Sequence, residues 1–286
     1  MTIGITGASG HLASGVLRHL YARGPRDVVA VTRSPSKVDT TDRPGLQVRA
    51  GDFDDGDGLT RALAGIERLL MIPATDLTPG VRPRQHKTAI DAAVAAGVRH
   101  VIYVSSVGAR TGPRDGLLET HFFTEQALIN SGLAWTLVRM NIYADFRVDA
   151  VKKALASGEW AASDGAPYAY VVRDELAAAA AVVLGRSGDE GVTFHATGTE
   201  SVTYAQIAEA VSKATGTPIR FIPMTPAQTE AGFKAAGLPP ALIDVLVRVD
   251  RAGRDGAFDL VTGDIARLTG TPAQSPIDFL LGALQA

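Results

Sequence analysis

The sequence predicts an α/β protein: a doubly wound Rossmann parallel sheet with a smaller C-terminal α/β lobe. Three observations predict it. Short β-branched and apolar runs alternate with helical patterns through the first half of the chain, as they do when helices cover a parallel sheet. Most of these runs are apolar almost throughout, which suits strands buried on both faces. The first strand also leads into the first helix through Gly7-Ala8-Ser9-Gly10, where a dinucleotide-binding fold carries its phosphate loop.

Thr2–Thr6 reads as the first strand, and Leu12, Val16, Leu17 and Leu20 then recur at helical spacing until Gly24-Pro25 stops the helix. Val28–Thr32 and Leu46–Ala50 are the next strands. A helix around Leu59–Leu63 leads to a fourth strand, Leu69–Ile72. An alanine-rich helix over Arg84–Ala96 closes at Gly97 and precedes the strand Val101–Val104. Leu118–Ile129 is helical, and Trp135–Arg139 is the sixth strand. Beyond Tyr143 the regularity loosens. Helices are expected at Val148–Ala156, Asp174–Leu184 and Tyr204–Ala214, strands at Val192–Ala196 and Ile219–Ile222, and another helix from Pro239-Pro240. The expected division is 1–145 as an NADP-binding Rossmann domain. Residues 146–286 are expected to be mostly a substrate-binding lobe, with segments returning to the main sheet.

The chain has 286 residues, 46% of them hydrophobic and 20% charged, ample for a large core. A net charge of -2 and the lack of any dense Lys/Arg block argue against nucleic acid or an anionic membrane as partner. Cysteine is absent, so no disulfide framework or cysteine-ligated metal is expected. The six histidines form no metal-ligand spacing, and no metal site is expected. The longest apolar stretch, Leu176 to Gly185, is too short to cross a bilayer. No basic leader precedes the first strand. The expectation is a cytoplasmic protein without a membrane partner.

The loop chemistry is specific. Gly7 permits the tight turn, Gly10 lets backbone approach a pyrophosphate, and the helix beginning His11-Leu12-Ala13 supplies amide donors and partial positive charge. An ordinary strand-helix turn is the plainer alternative. After the second strand an acid would select NAD(H) by binding the ribose hydroxyls. The sequence has Arg33-Ser34-Pro35-Ser36-Lys37 instead, and Arg33 and Lys37 suit a 2′-phosphate. NADP(H) is therefore preferred, with NAD(H) the alternative. Asp52-Phe53, after the third strand, is placed to contact adenine or simply to cap its loop. Thr6, Gly7, Ser9, Gly10, His11, Leu12, Arg33, Lys37, Asp52 and Phe53 make up the expected cofactor contacts on this side.

Thr6-Gly7-Ala8-Ser9-Gly10-His11-Leu12, Gly51-Asp52-Phe53-Asp54, Ala96-Gly97-Val98-Arg99-His100-Val101 and Thr136 through Tyr143 together resemble the NmrA-like family of atypical short-chain dehydrogenases/reductases. The resemblance runs through nearly the whole chain. It implies NADP(H) on a Rossmann domain, a small C-terminal lobe and hydride delivery to flat conjugated acceptors. It also implies a homodimer as the assembly to test. Some members bind the dinucleotide as sensors and catalyse nothing.

Carbonyl-reducing short-chain dehydrogenases use a Tyr-x-x-x-Lys pair assisted by a serine. Here the serine position is Ser105 or Ser106, but the pair reads His121-Phe122-Phe123-Thr124-Glu125. Four-residue spacing puts His121 and Glu125 on one helix face, where Glu125 would favour the imidazolium of His121. His121 as an imidazolium proton donor is one expectation, and an inert surface pair is the other. Glu125 is also a candidate for the ribose hydroxyls. Asn141 and Tyr143 follow the sixth strand and are candidates to orient or stack on a planar substrate, or else to pack the strand end. His86, beside Gln85 and Lys87, reads as a surface residue, with a place bordering the nicotinamide as the alternative.

Quinones and cationic dyes delocalise the arriving charge and need little acid. The leading reading is accordingly an NADPH-dependent oxidoreductase of a quinone-like or other conjugated aromatic substrate. The alternatives are a non-catalytic NADP(H) sensor, and a tailoring reductase or monooxygenase-type enzyme acting on an aromatic natural product.

Overall fold

The computed structural model describes every residue except 25, 113–115, 166 and 286. The helix stop expected at Gly24-Pro25 thus falls partly on Pro25, outside the described residues. The chain divides into two compact units, each discontinuous in sequence. The first comprises Met1–Thr111, Glu119–Arg139 and Asp174–Phe194. The second comprises Gly112–Leu118, Met140–Arg173 and His195–Ala286.

In the first unit, β1 (Ile3–Thr6), β2 (Val28–Thr32), β3 (Leu46–Ala50), β4 (Arg68–Met71), β5 (His100–Ser106), β6 (Ala134–Met140) and β8 (Val192–Ala196) form one sheet in the order β3-β2-β1-β4-β5-β6-β8. The registers joining β3, β2, β1, β4 and β5 are all parallel, Ile5 lying against Ala30 on one side and Leu70 on the other. Strand order runs one way from β1 to β3 and the other way from β4 onward. The doubly wound fold is therefore present, with its switch point between β1 and β4, where such sheets bind ligands beyond the strand C-termini.

The covering helices are α1 (His11–Tyr21), α2 (Gly56–Leu63), α3 (Val81–Ala95), α4 (Leu117–Ile129) and α6 (Arg173–Gly185). The apolar stripe of α1 buries Leu12, Val16, Leu17 and Leu20. Its Gly15 lies so near α6 that a Cβ there would stand 2.9 Å from the Ala177 methyl. Helix α3 starts three residues before the expected Arg84. Gly80, at φ 78°, turns the chain into it, and Pro83 sits in the first turn, where its missing N–H costs no helical bond.

The second unit has its own two-stranded parallel sheet of β7 (Glu159–Ser163) and β9 (Arg220–Met224). Helices α5 (Val148–Ser157), α7 (Tyr204–Thr215), α8 (Pro226–Ala235), α9 (Pro240–Arg254), α10 (Asp264–Thr269) and α11 (Pro276–Ala283) complete it. Its core gathers Val151, Trp160, Tyr168, Tyr170, Ile207 and Phe258. Strand β7 is unexpected: Glu-Trp-Ala-Ala-Ser carries one large apolar side chain and little β-branching, and pairing with β9 supplies what local preference lacks. Among the described residues no helix is long and apolar enough to cross a membrane, and no group of three or more acids and histidines is placed to hold a metal.

Candidate functional site

Four strand ends of the first unit open on one cleft of about 370 Å³. Thr6, Gly7, Ser9 and Gly10 follow β1, Thr32, Arg33 and Ser34 follow β2, and Gly51, Asp52 and Phe53 follow β3. Ile72, Pro73, Ala74, Thr75 and Asp76 follow β4, and Gln85 enters from α3. Short bonds fix the loops. Ser9 Oγ meets Thr32 Oγ1 at 2.9 Å, Ser34 N–H donates to Thr32 Oγ1 at 3.1 Å, and Ile72 N–H donates to Thr6 Oγ1 at 3.0 Å.

The residues present fit a dinucleotide. Gly7 is in the left-handed region, φ 63°, and Gly10 N–H donates to its carbonyl at 2.9 Å. A Cβ on Gly10 would stand 3.2 Å from that carbonyl and fill the cradle. No side chain caps α1 at Gly10, and its first turn carries no acid, leaving amide donors and the positive helix end for an anion. Gln85 Oε1 is buried without a partner although its residue lines the cleft. That orphaned acceptor suits an amino group such as that of adenine, the role expected of Asp52. Asp52 lines the cleft too, but its Oδ1 accepts from Asp54 N–H at 3.0 Å.

Arg33 is exposed at the cleft. The fold also brings acids near it that sequence neighbours do not reveal. Hydrogen bonds from Gln85 and Arg84 chiefly hold the Asp54 carboxyl below its ordinary pKa, and that of Asp76 is lowered chiefly by the backbone of Thr78, with Arg33 a further contributor to both. His11, Leu12 and Lys37 lie outside the lining: His11 and Lys37 are exposed, and Leu12 is on the buried face of α1.

The α4 pair departs from expectation. Glu125 is 1% exposed. It accepts from Arg139 Nε at 2.8 Å and Nη2 at 2.6 Å, and from Ser105 Oγ at 2.5 Å. Both its oxygens are engaged, so the ribose role assigned to Glu125 is corrected to a structural one, and Ser105, wholly buried, is bound into the same knot. His121 is also 1% exposed and turns elsewhere, Nε2 to Arg82 Nη2 at 3.2 Å and Nδ1 to Tyr103 Oη at 2.9 Å. Burial first, then the charges of Arg82 and His86, push its pKa well below the ordinary value. The expected imidazolium is therefore overturned: His121 is neutral. A guanidinium can only donate, so Nε2 carries the lone pair and Nδ1 carries the proton.

His86 is buried, not a surface residue. Ala74 N–H donates to its Nε2 at 3.0 Å, and its Nδ1 meets Thr124 Oγ1 at 2.8 Å. Burial, then Arg82, lowers its pKa to about 3. A neutral imidazole on α3 thus fixes the β4 loop that walls the cleft. The missed signal was periodic, since Arg82, Gln85, His86, Ala89, Ile90 and Ala93 recur on one buried stripe of α3.

In the second unit Asn141 is buried rather than presented. Its Nδ2 donates to the Phe258 carbonyl at 2.9 Å, and its Oδ1 accepts from Ile142 N–H at 2.7 Å. Its side chain satisfies backbone groups, which corrects the substrate-facing role. The Tyr143 ring lies 5.4 Å from that of exposed Phe146 and 5.0 Å from the Arg173 guanidinium.

Comparison with known proteins places these features in context. A protein-family model described as NAD(P)H-binding matches residues 7–187, more than half of the chain. Quinone oxidoreductase 2 of Escherichia coli (strain K12) is 36% identical over 274 residues, 94% of each chain. The NAD(P)H azoreductase of Xenophilus azovorans is 25% identical over 276 residues, 96% of this chain and 95% of its own. Among solved structures, an NADPH-dependent quinone oxidoreductase from Escherichia coli complexed with NADPH superposes with a TM-score of 0.91 at 32% identity over 99% of each chain. The Citrobacter sp. triphenylmethane reductase complexed with NADP(H) gives 0.90 at 27% identity over 98% of this chain and 99% of its own. These likenesses bear out the NmrA-like resemblance.

Proposed function

This chain belongs to the NAD(P)H-binding family, and from that premise we propose that it is an NADPH-dependent oxidoreductase of quinone-like or other conjugated aromatic acceptors. The observation that carries the reading is the cleft at the switch point, which presents an uncapped helix end and Arg33 together. Full-length similarity to a quinone reductase supports the acceptor class.

The amides at Gly7–Gly10 and the N-terminus of α1 would hold the pyrophosphate, and Arg33 the 2′-phosphate. Phe53 offers an apolar face and Gln85 Oε1 an acceptor to the adenine side. When bound, the dinucleotide supplies a hydride with its electron pair. The protein's share is positioning more than acid catalysis: neutral His121 holds its proton toward Tyr103, and Glu125 is closed off by Arg139 and Ser105. Such a site suits an acceptor that spreads the arriving charge over a ring.

Anaerobic oxidation of NADPH with a panel of quinones, azo and triphenylmethane dyes and aromatic ketones tests the reading. Turnover of a quinone or dye, faster with NADPH than NADH, is expected. Tight NADPH binding with silence across the panel would replace the enzyme by a sensor.

A further inference from the structure

Arg82, in the first turn of α3, is 9% exposed. A guanidinium presents five N–H donors, and here, among the described residues, one acceptor meets them, His121 Nε2 at 3.2 Å. Its Nε is buried without a partner, and among the described residues no carboxylate lies within ion-pair distance of it. The groups around it, His121, His86 and Tyr103, are neutral: burial pushes both imidazoles down and the phenol up. Arg68, also buried, differs in donating to the carbonyls of Val183 and Leu184 with Glu190 at 3.7 Å. A buried cation without a counter-charge is strongly disfavoured, and such groups collect where a ligand completes them. The place adjoins the site without lining the adenine side of the cleft: His86, four residues along α3, holds Ala74 in the cleft wall, and α3 has neither a side-chain cap nor an acid in its first turn.

We propose that Arg82 is an anion-recognition residue that takes a negatively charged oxygen of the aromatic acceptor, either the phenolate oxygen created by reduction or a carboxylate the acceptor already carries. The inference rests on the proposed function for its ligand. In the step concerned, NADPH loses a hydride and becomes NADP⁺. The quinone gains that hydride with its electron pair, one oxygen becomes phenolate, and a solvent proton then completes the hydroquinone. Arg82 would stabilise the charge between those two events.

Benzoate, titrated into the full chain without dinucleotide and followed by thermal shift, tests the site apart from turnover. The wild type should show a saturable rise in Tm. Arg82→Met should lose that rise while keeping a Tm no lower than the wild type, because it removes an uncompensated charge and leaves the stem. Arg82→Lys keeps the charge but not the fork, and should bind benzoate about tenfold more weakly. Equal shifts in wild type and Arg82→Lys, or none in the wild type, overturn the proposal even if Arg82→Met does not fold. Kinetics separate the two sources. If the phenolate is the ligand, Arg82→Lys lowers kcat for an uncharged naphthoquinone about tenfold with KM for NADPH unchanged. If a carboxylate is the ligand, KM rises about tenfold for a carboxylated naphthoquinone and not for its methyl ester. If neither change appears, the acceptor role is overturned. Failure of the wild type to reduce any quinone overturns the function instead, and the titration still judges the anion site.

Discussion

Four residues apart on α4, His121 and Glu125 each hold a buried or half-buried arginine, and the two pairs are opposites. Glu125 grips Arg139 through two parallel bonds and takes a third from Ser105, so charge and donors are both matched. His121 offers Arg82 one neutral nitrogen and leaves its charge unmatched. A matched pair holds structure together, and losing one member strands the other. An unmatched cation holds little, and its persistence points to a ligand.

Acid should distinguish the two regions most strongly. His86 has its pKa lowered from 6.5 to about 3, so the folded protein excludes a proton that the unfolded chain binds. Its contribution is complete above about pH 6.5 and is lost as pH falls toward 3, by up to ~1.4 kcal/mol per pH unit. His121 acts in the same direction. Urea melts from pH 7 to pH 4.5 should therefore show a loss of about 2.5 kcal/mol from His86, reduced in His86→Gln. A flat profile would mean that the imidazoles are not neutral and enclosed.

Glu125→Ala breaks the matched pair. The expected loss is about 3 kcal/mol, at the low end for a buried pair because Arg139 reaches some solvent. A loss below ~0.5 kcal/mol would erase the contrast with Arg82. A third arginine sharpens it. Arg33 is exposed and shares its field with Asp54 and Asp76, and Arg33→Gln should raise KM for NADPH about tenfold, ~1.4 kcal/mol, while leaving NADH nearly unchanged and Tm unmoved. Equal effects on both dinucleotides would assign Arg33 to the pyrophosphate instead.

The cleft loop was legible because its chemistry is local: a glycine suited to positive φ, a second where a Cβ would crowd the Gly7 carbonyl, and a helix start without a cap all fall within a few residues. The α4 helix was legible as a helix and not as a site. Spacing put His121 and Glu125 on one face, but their partners come from β5, β6 and α3, and only the packed fold shows that one turns to Tyr103 and Arg82 and the other to Ser105 and Arg139. His86 was misplaced by its neighbours Gln85 and Lys87, although a polar residue in phase with Ala89, Ile90 and Ala93 carried the clue. In the second unit Asn141 looked available because amides at strand ends often are. The backbone of Phe258, more than a hundred residues later, closed it.

The Gly15–Ala177 contact has a consequence for synthesis. The helix whose positive end faces the phosphate cradle rests on α6, and α6 belongs to a segment made only after the second unit's first two stretches, Gly112–Leu118 and Met140–Arg173. As the chain emerges from a ribosome, β1 through β6 can pair, but α1 lacks its neighbour until Ala177 appears and the sheet its last strand until Ala196. The lining of the nucleotide site is complete once Gln85 is made, but the helix behind its cradle gains its packing neighbour only with Ala177, a wait that the dinucleotide itself is suited to cover.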